Sequence, residues 1–181
     1  MQSKITKMRA AESCVFLPFT YKHVVYLDIF SVACKKGKTM KILQLMGTLD
    51  RGGVESMISN LIRHGLKTDI CLEIPDKGMM EDELETYGCH IYHLTRRSTS
   101  MKKHHKELAD IAKNYDIIHI HAQNAFLALI EVKVLKKTGV KKVIVHSHNT
   151  RDWRSGILGN FLHKAARPFL KDSCIRAACS T

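Results

Sequence analysis

Lys41-Ile42-Leu43-Gln44-Leu45-Met46 is a short apolar run that ends at Gly47, and Val54 to His64 follows it with Val54, Met57, Ile58, Leu61 and Ile62 at helical spacing. Between them lies the loop Gly47-Thr48-Leu49-Asp50-Arg51-Gly52-Gly53. The order is strand, loop, helix, and it recurs down the chain. Thr68 to Ile74 reads as a second strand, Met80 to Tyr87 as a short acidic helix and His90 to Leu94 as a third strand. Met101 to Asn114 is helical, with Met101, Leu108, Ile111 and Ala112 on one face and Lys102, Lys103, Lys106 and Lys113 away from it. Such an apolar face needs a sheet to pack on.

Ile117-Ile118-His119-Ile120-His121 is the fourth strand, and Asn124 is placed to cap a helix from Ala125 to Thr138 that stops at Gly139. Val143-Ile144-Val145-His146 is the fifth strand. Leu158, Phe161, Leu162, Ala165 and Phe169 form an apolar helical stripe, Pro168 is expected to kink or end that helix, and Ile175 to Cys179 opens a sixth strand. Strands alternating with helices at this spacing predict an α/β fold, a Rossmann-like doubly wound parallel sheet covered on both faces. The ligand crevice of such a sheet lies outside the carboxyl ends of its strands. Thr181 falls at one of those ends, so the loop or domain that would follow it is expected to be missing.

Residues 1–39 read differently and are expected to be a leader that is not part of the fold, leaving 40–181 as the domain. Lys22, His23 and Asp28 interrupt the apolar stretch Cys14 to Cys34, which makes it a poor membrane span, and Glu12 spoils it as a secretory signal. Lys35-Lys36-Gly37-Lys38-Thr39-Met40 would be encoded by a purine-rich run of the kind found in ribosome-binding sites, so Met40 is read as the natural first residue.

The chain of 181 residues suffices for one domain of ordinary size. With 45% hydrophobic and 25% charged residues it lies outside the disordered and collagen-like classes. Its net charge of +12 predicts attraction to polyanions without choosing among nucleic acid, an anionic membrane and phosphorylated small molecules. Six cysteines without a C-x-x-C pair match neither a zinc module nor a secreted disulfide framework, which points to reduced thiols in a cytoplasmic protein.

Three constellations bear on chemistry. In the first loop, Gly53 and Val54 stand where a P-loop needs Lys and Ser or Thr, and no G-x-G-x-x-G is present. What remains is the pair Gly52-Gly53 at a helix N-terminus, either an anion cradle or a turn that uses glycine for its backbone freedom. The second constellation is His119-x-His121 with His146-x-His148, each at the carboxyl end of a strand with both members on one face. Metal binding, polar packing and substrate contact all remain open for these histidines, although no Asp or Glu at fixed spacing supports a metal. Asn124, Asn149, Thr150 and Arg151 add groups suited to sugar hydroxyls or phosphate. The third is a basic surface, Arg96, Arg97, Lys102, Lys103 and Lys106, then Lys133, Lys136, Lys137, Lys141 and Lys142. It reads as a solvated face or as a contact for an anionic membrane or acidic substrate. Nucleic acid is disfavoured by the absence of interleaved aromatics.

Met40-Lys41-Ile42-Leu43-Gln44, Gly47, Asp50-Arg51-Gly52-Gly53-Val54-Glu55, Asp116-Ile117-Ile118-His119-Ile120-His121, His146-Ser147-His148-Asn149-Thr150 and the final Ala177-Ala178-Cys179-Ser180-Thr181 together resemble the N-terminal domain of family-4 retaining glycosyltransferases of the GT-B fold, and are most similar to bacterial exopolysaccharide and capsule enzymes. The resemblance implies one half of a GT-B fold, the acceptor-binding half, transferring sugar from a nucleotide sugar to a glycan or lipid-linked acceptor. It implies that Gly52 and Gly53 approach the donor diphosphate, and that His121 and His148 face the acceptor and the transferred sugar as catalytic residues. It implies neither a metal nor another cofactor. The segment from His64 to Lys67 is shorter than in the family, and the donor domain is expected to be missing, so the lone chain is expected to be inactive. A standalone phospholigand-binding module and a small metal hydrolase built on the paired histidines are the rival readings.

Overall fold

The computed structural model describes residues 40–148, 156–171 and 174–178. The leader reading, Cys179 and the final Ser180-Thr181 lie outside them, as do Asn149, Thr150 and Arg151.

The elements run in chain order as β1 (Ile42–Met46), α1 (Gly53–Arg63), β2 (Asp69–Leu72), α2 (Glu81–Thr86), β3 (Ile91–His93), α3 (Met101–Ala112), β4 (Ile117–Ala122), α4 (Ala125–Leu135), β5 (Lys142–Ser147), α5 (Ile157–Lys171) and β6 (Ile175–Ala178). The six strands form one parallel sheet in the order β3-β2-β1-β4-β5-β6. This is a doubly wound, Rossmann-like arrangement, with its switch point between β1 and β4. All five residues of β1 are buried, as a central strand covered on both faces requires. On one face Leu43, Leu45, Ile118, Ile120, Val143 and Val145 pack with Leu108, Ala112, Ala128, Val132, Ala166 and Leu170 from α3, α4 and α5. On the other, Met46, Ile70, Leu72 and Ile91 pack with Ile58 and Ile62 of α1 and Leu84 of α2.

Several expected boundaries move by a few residues, for physical reasons. The helix after β4 ends as α-helix at Leu135 and tightens into a 3-10 turn over Lys136–Thr138, closed by Gly139 in the left-handed region at φ 83°. Despite the short segment before it, β2 forms and pairs with β1 over four positions. Pro168 does not end α5, which runs on to Lys171. The orientation of α5 is a larger correction. Leu158, Phe161 and Phe169, three members of the expected apolar stripe, are exposed, together with Ile157. The helix buries His163, Ala166 and Leu170 instead. His163 explains the choice, because its Nδ1 accepts a hydrogen bond from the Ala125 N–H at the start of α4 (3.1 Å) and draws the small face of α5 against that helix.

Candidate functional site at the carboxyl rim

Strand alternation and register assemble a polar cluster on the sheet. Gln44 pairs with His119 across β1 and β4, and His121 pairs with His146 across β4 and β5. These four side chains therefore share a face, with His148 one step beyond β5. Ring centroids lie 4.3 Å apart for His119 and His121, 5.4 Å for His119 and His146, and 4.3 Å for His146 and His148.

Hydrogen bonding fixes the tautomers. The Thr68 hydroxyl donates to the Ile42 carbonyl (3.0 Å), so it accepts from the Gln44 amide NH2 (3.4 Å). Gln44 Oε1 then faces His121 Nε2 at 2.9 Å and accepts its proton. This leaves a lone pair on His121 Nδ1, which meets His148 Nε2 at 3.0 Å as acceptor. The chain of bonds runs from a strand carbonyl beneath the sheet face out to the rim, and each link orients the next.

The four imidazoles are neutral at neutral pH. Burial, with smaller contributions from His146 and His148, pushes His119 down to about 3. Burial drives His121 well below the ordinary histidine range and lowers His146. Burial and His146 together bring His148 down to about 4. The cluster consequently offers lone pairs and N–H groups without positive charge.

The structure brings most of the expected residues to one rim and separates their roles. His119 is 0% exposed and lies one pleat below the rim, His121 is 7% exposed and His148 is half-buried. Asn124 follows β4, and its Oδ1 caps α4 by accepting from the Phe126 N–H (2.8 Å) and the Leu127 N–H (3.3 Å). The glycine loop flanks the same switch point, since a Cβ at Gly47 would stand 3.7 Å from Gln123 Nε2 in the loop after β4. Gly52 is the N-cap of α1 in extended conformation and makes no side-chain cap bond. The first backbone hydrogen bond of the helix runs from the Ser56 N–H to the Gly52 carbonyl (2.9 Å), leaving the preceding N–H groups to point outward. Nothing lies within 4 Å of a Cβ built on Gly53, whereas one on Gly52 would collide with the Glu55 carboxylate, which folds back over the turn.

Gln44, Thr68 and His163 escaped the sequence reading. A polar residue between Ile42 and Met46 on one strand face was the available signal for Gln44. Arg97 is a correction to the basic surface. It turns inward to bind both Glu73 oxygens (2.5 and 2.8 Å) and Glu131, a carboxylate with 2% exposure on α4. Arg96, Lys103 and Lys141 of the same runs pair with Asp76, Glu107 and Asp116, as a solvated face would. A cavity of about 460 Å³ lies at the opposite, amino end of the strands, where the Tyr115 hydroxyl donates to Asp69 Oδ2 at 2.6 Å. No described helix is long and apolar enough to cross a membrane.

No protein-family model and no curated protein matches the chain. Among solved structures it is similar to HepE from Anabaena, determined in complex with UDP-glucose, with a TM-score of 0.47 and 20% identity over 61% of this chain. The match spans 29% of the HepE chain, less than a third of that protein's length.

Proposed function

We propose that this chain supplies the acceptor-binding wall of a retaining glycosyltransferase that moves sugar from a nucleotide sugar to a glycan or lipid-linked acceptor in surface polysaccharide synthesis, on the cytoplasmic side of the membrane. The reading rests on the family resemblance, and one observation carries it structurally. The Gly52-Gly53 helix start and the His121–His148 pair lie on one rim of the sheet, beside the switch point where ligands of such sheets bind. A second Rossmann-like domain, in the same polypeptide or a separate one, would face this rim and hold the donor.

In this reading the bond between the sugar C1 and the diphosphate oxygen breaks as the acceptor hydroxyl attacks C1 and passes its proton to the departing diphosphate oxygen. Negative charge grows on the leaving diphosphate, and the outward N–H groups of α1 with its helix dipole stabilise it. Gly53 permits close approach because it presents no side chain there. His148, neutral and half-buried, contacts the acceptor or the transferred sugar, while the buried His121 holds His148 in position through their 3.0 Å bond. No cofactor or metal ion takes part in the transfer. Asn149, Thr150 and Arg151 follow His148 in sequence and are proposed to bind substrate beside it, with Asn124 across the rim.

The exposed face of α5 supports a peripheral membrane contact for lipid-linked acceptors. Ile157, Leu158, Phe161 and Phe169 are 94%, 71%, 66% and 66% exposed, and Lys164 and Arg167 stand among them, a combination suited to an anionic lipid surface. The test is amide NMR of the isotope-labelled full chain titrated with a nucleotide sugar together with a soluble acceptor analogue. Shifts at Gly52, Gly53 and His148 are expected. Shifts confined to the Tyr115 cavity would overturn the assignment of the rim.

A further inference from the structure

We propose that the histidine cluster of β4 and β5 is a binding site for one divalent transition-metal ion, with His119, His121 and His146 as ligands and His148 in reach of the fourth position. The inference is independent of sugar transfer and concerns a ligand class that transfer does not use. Ligand nitrogens of His119, His121 and His146 all lie within 4.8 Å of one another. In a tetrahedral site with metal–nitrogen bonds of about 2.0–2.1 Å the nitrogens stand roughly 3.3 Å apart. Side-chain rotation has to bring nitrogens that lie up to 4.8 Å apart to that spacing. The backbone positions are already fixed, because His121 and His146 are register partners in neighbouring parallel strands and His119 is two residues along the same face.

His121 carries the outer support characteristic of a metal-binding histidine. Its Nε2–H donates to Gln44 Oε1, and Gln44 is oriented in turn by Thr68, so His121 Nδ1 keeps its lone pair, which faces His148. His148 Nε2 is 3.0 Å from that same Nδ1, close to the separation of two ligands on one ion, and it can join them once the proton it donates there has moved to its own Nδ1. The donor set consists of imidazole nitrogens, which selects zinc, cobalt, nickel or copper over magnesium or calcium. Because the ligands are neutral, the ion keeps its double charge, which favours moderate affinity and an anionic or water ligand wherever His148 swings away. An ion bound here withdraws His121 and His148 from the rim, so in a transferring enzyme it would act as an inhibitor.

The experiment is a titration of the full chain with Co²⁺ at neutral pH, read by the intense visible absorption of tetrahedral nitrogen-ligated cobalt and followed by displacement with Zn²⁺. The expected result is saturation at one equivalent per chain. Affinity should fall at least tenfold in His146→Gln, fall in the rim variant His148→Gln, and stay unchanged in His64→Gln, which alters an exposed histidine. Circular dichroism checks that each variant is folded, and His148→Gln decides the matter if His146→Gln is not. Absence of the tetrahedral spectrum in wild type would overturn the proposal. So would wild-type affinity in the folded cluster variants, which would assign the binding to surface histidines.

Discussion

Replacing Arg97 by Met isolates the buried charge that ties the rim loops to α4. Arg97 follows β3, Glu73 follows β2 and Glu131 lies in α4, so the guanidinium joins its own loop to two segments 24 and 34 residues away in sequence. The side chains are 18%, 21% and 2% exposed, which removes this group from the class of surface pairs worth about 0–1 kcal/mol. Taking one partner from a buried ion pair costs about 3–5 kcal/mol, a large share of the roughly 5–15 kcal/mol that holds a domain folded. Burial, and then Glu73, already raise Glu131 well above the ordinary carboxylate range, with Arg97 opposing them. Without Arg97 it rises further. A carboxyl whose folded pKa lies above its unfolded one holds its proton longer when folded, so stability declines as pH rises through that window, by up to about 1.4 kcal/mol per pH unit. The cost of Arg97→Met should therefore be larger at pH 8 than at pH 5. Adding Glu131→Leu should restore most of the loss. Urea midpoints for wild type and the single and double variants at both pH values measure this. A cost under about 1 kcal/mol at pH 8, or one that ignores pH, would refute the reasoning.

Three further outcomes follow from the same geometry. Gly53→Val should leave the urea midpoint almost unchanged, since a Cβ there meets open space, and should weaken nucleotide-sugar binding measured with a donor domain present; equal affinity would reduce the loop to an ordinary turn. Gly78→Ala should destabilise by about 1–3 kcal/mol, because its Cβ would press on Leu49 at 2.7–2.8 Å, and thermal melts check it. Phe161→Ser with Leu158→Ser should leave folding intact and reduce sedimentation with anionic vesicles, while neutral vesicles should retain little of either protein.

The strands, the glycine stops and the Asn124 cap were legible because each follows from local chemistry: alternation, a left-handed turn, a side chain able to accept from a helix start. The packing face of α5 was not. Its strongest apolar period runs through Leu158, Phe161 and Phe169, but close approach to α4 selects the smaller face of Ala166 and the hydrogen-bonding His163, and periodicity ranks bulk without knowing the partner. Arg97 was misread for a related reason. Beside Arg96 it looks solvated, and the two carboxylates that bury it are distant in sequence. The paired histidines were legible as a rim feature, but their common face with Gln44 depends on register between strands, which spacing within one strand does not reveal.

The most direct test of the proposed transfer is acceptor-dependent release of nucleoside diphosphate from a panel of nucleotide sugars, with lipid-linked acceptors, by the full chain with and without a donor domain fused after Thr181. A diphosphate held from one side remains largely hydrated, so the chain alone should show no release. The fused protein should turn over, because the facing wall restores orientation worth roughly 7–11 kcal/mol in well-aligned systems, and His148→Ala should slow it strongly. Sustained, acceptor-dependent release by the chain alone, or turnover by the fused protein that ignores His148→Ala, would contradict the account.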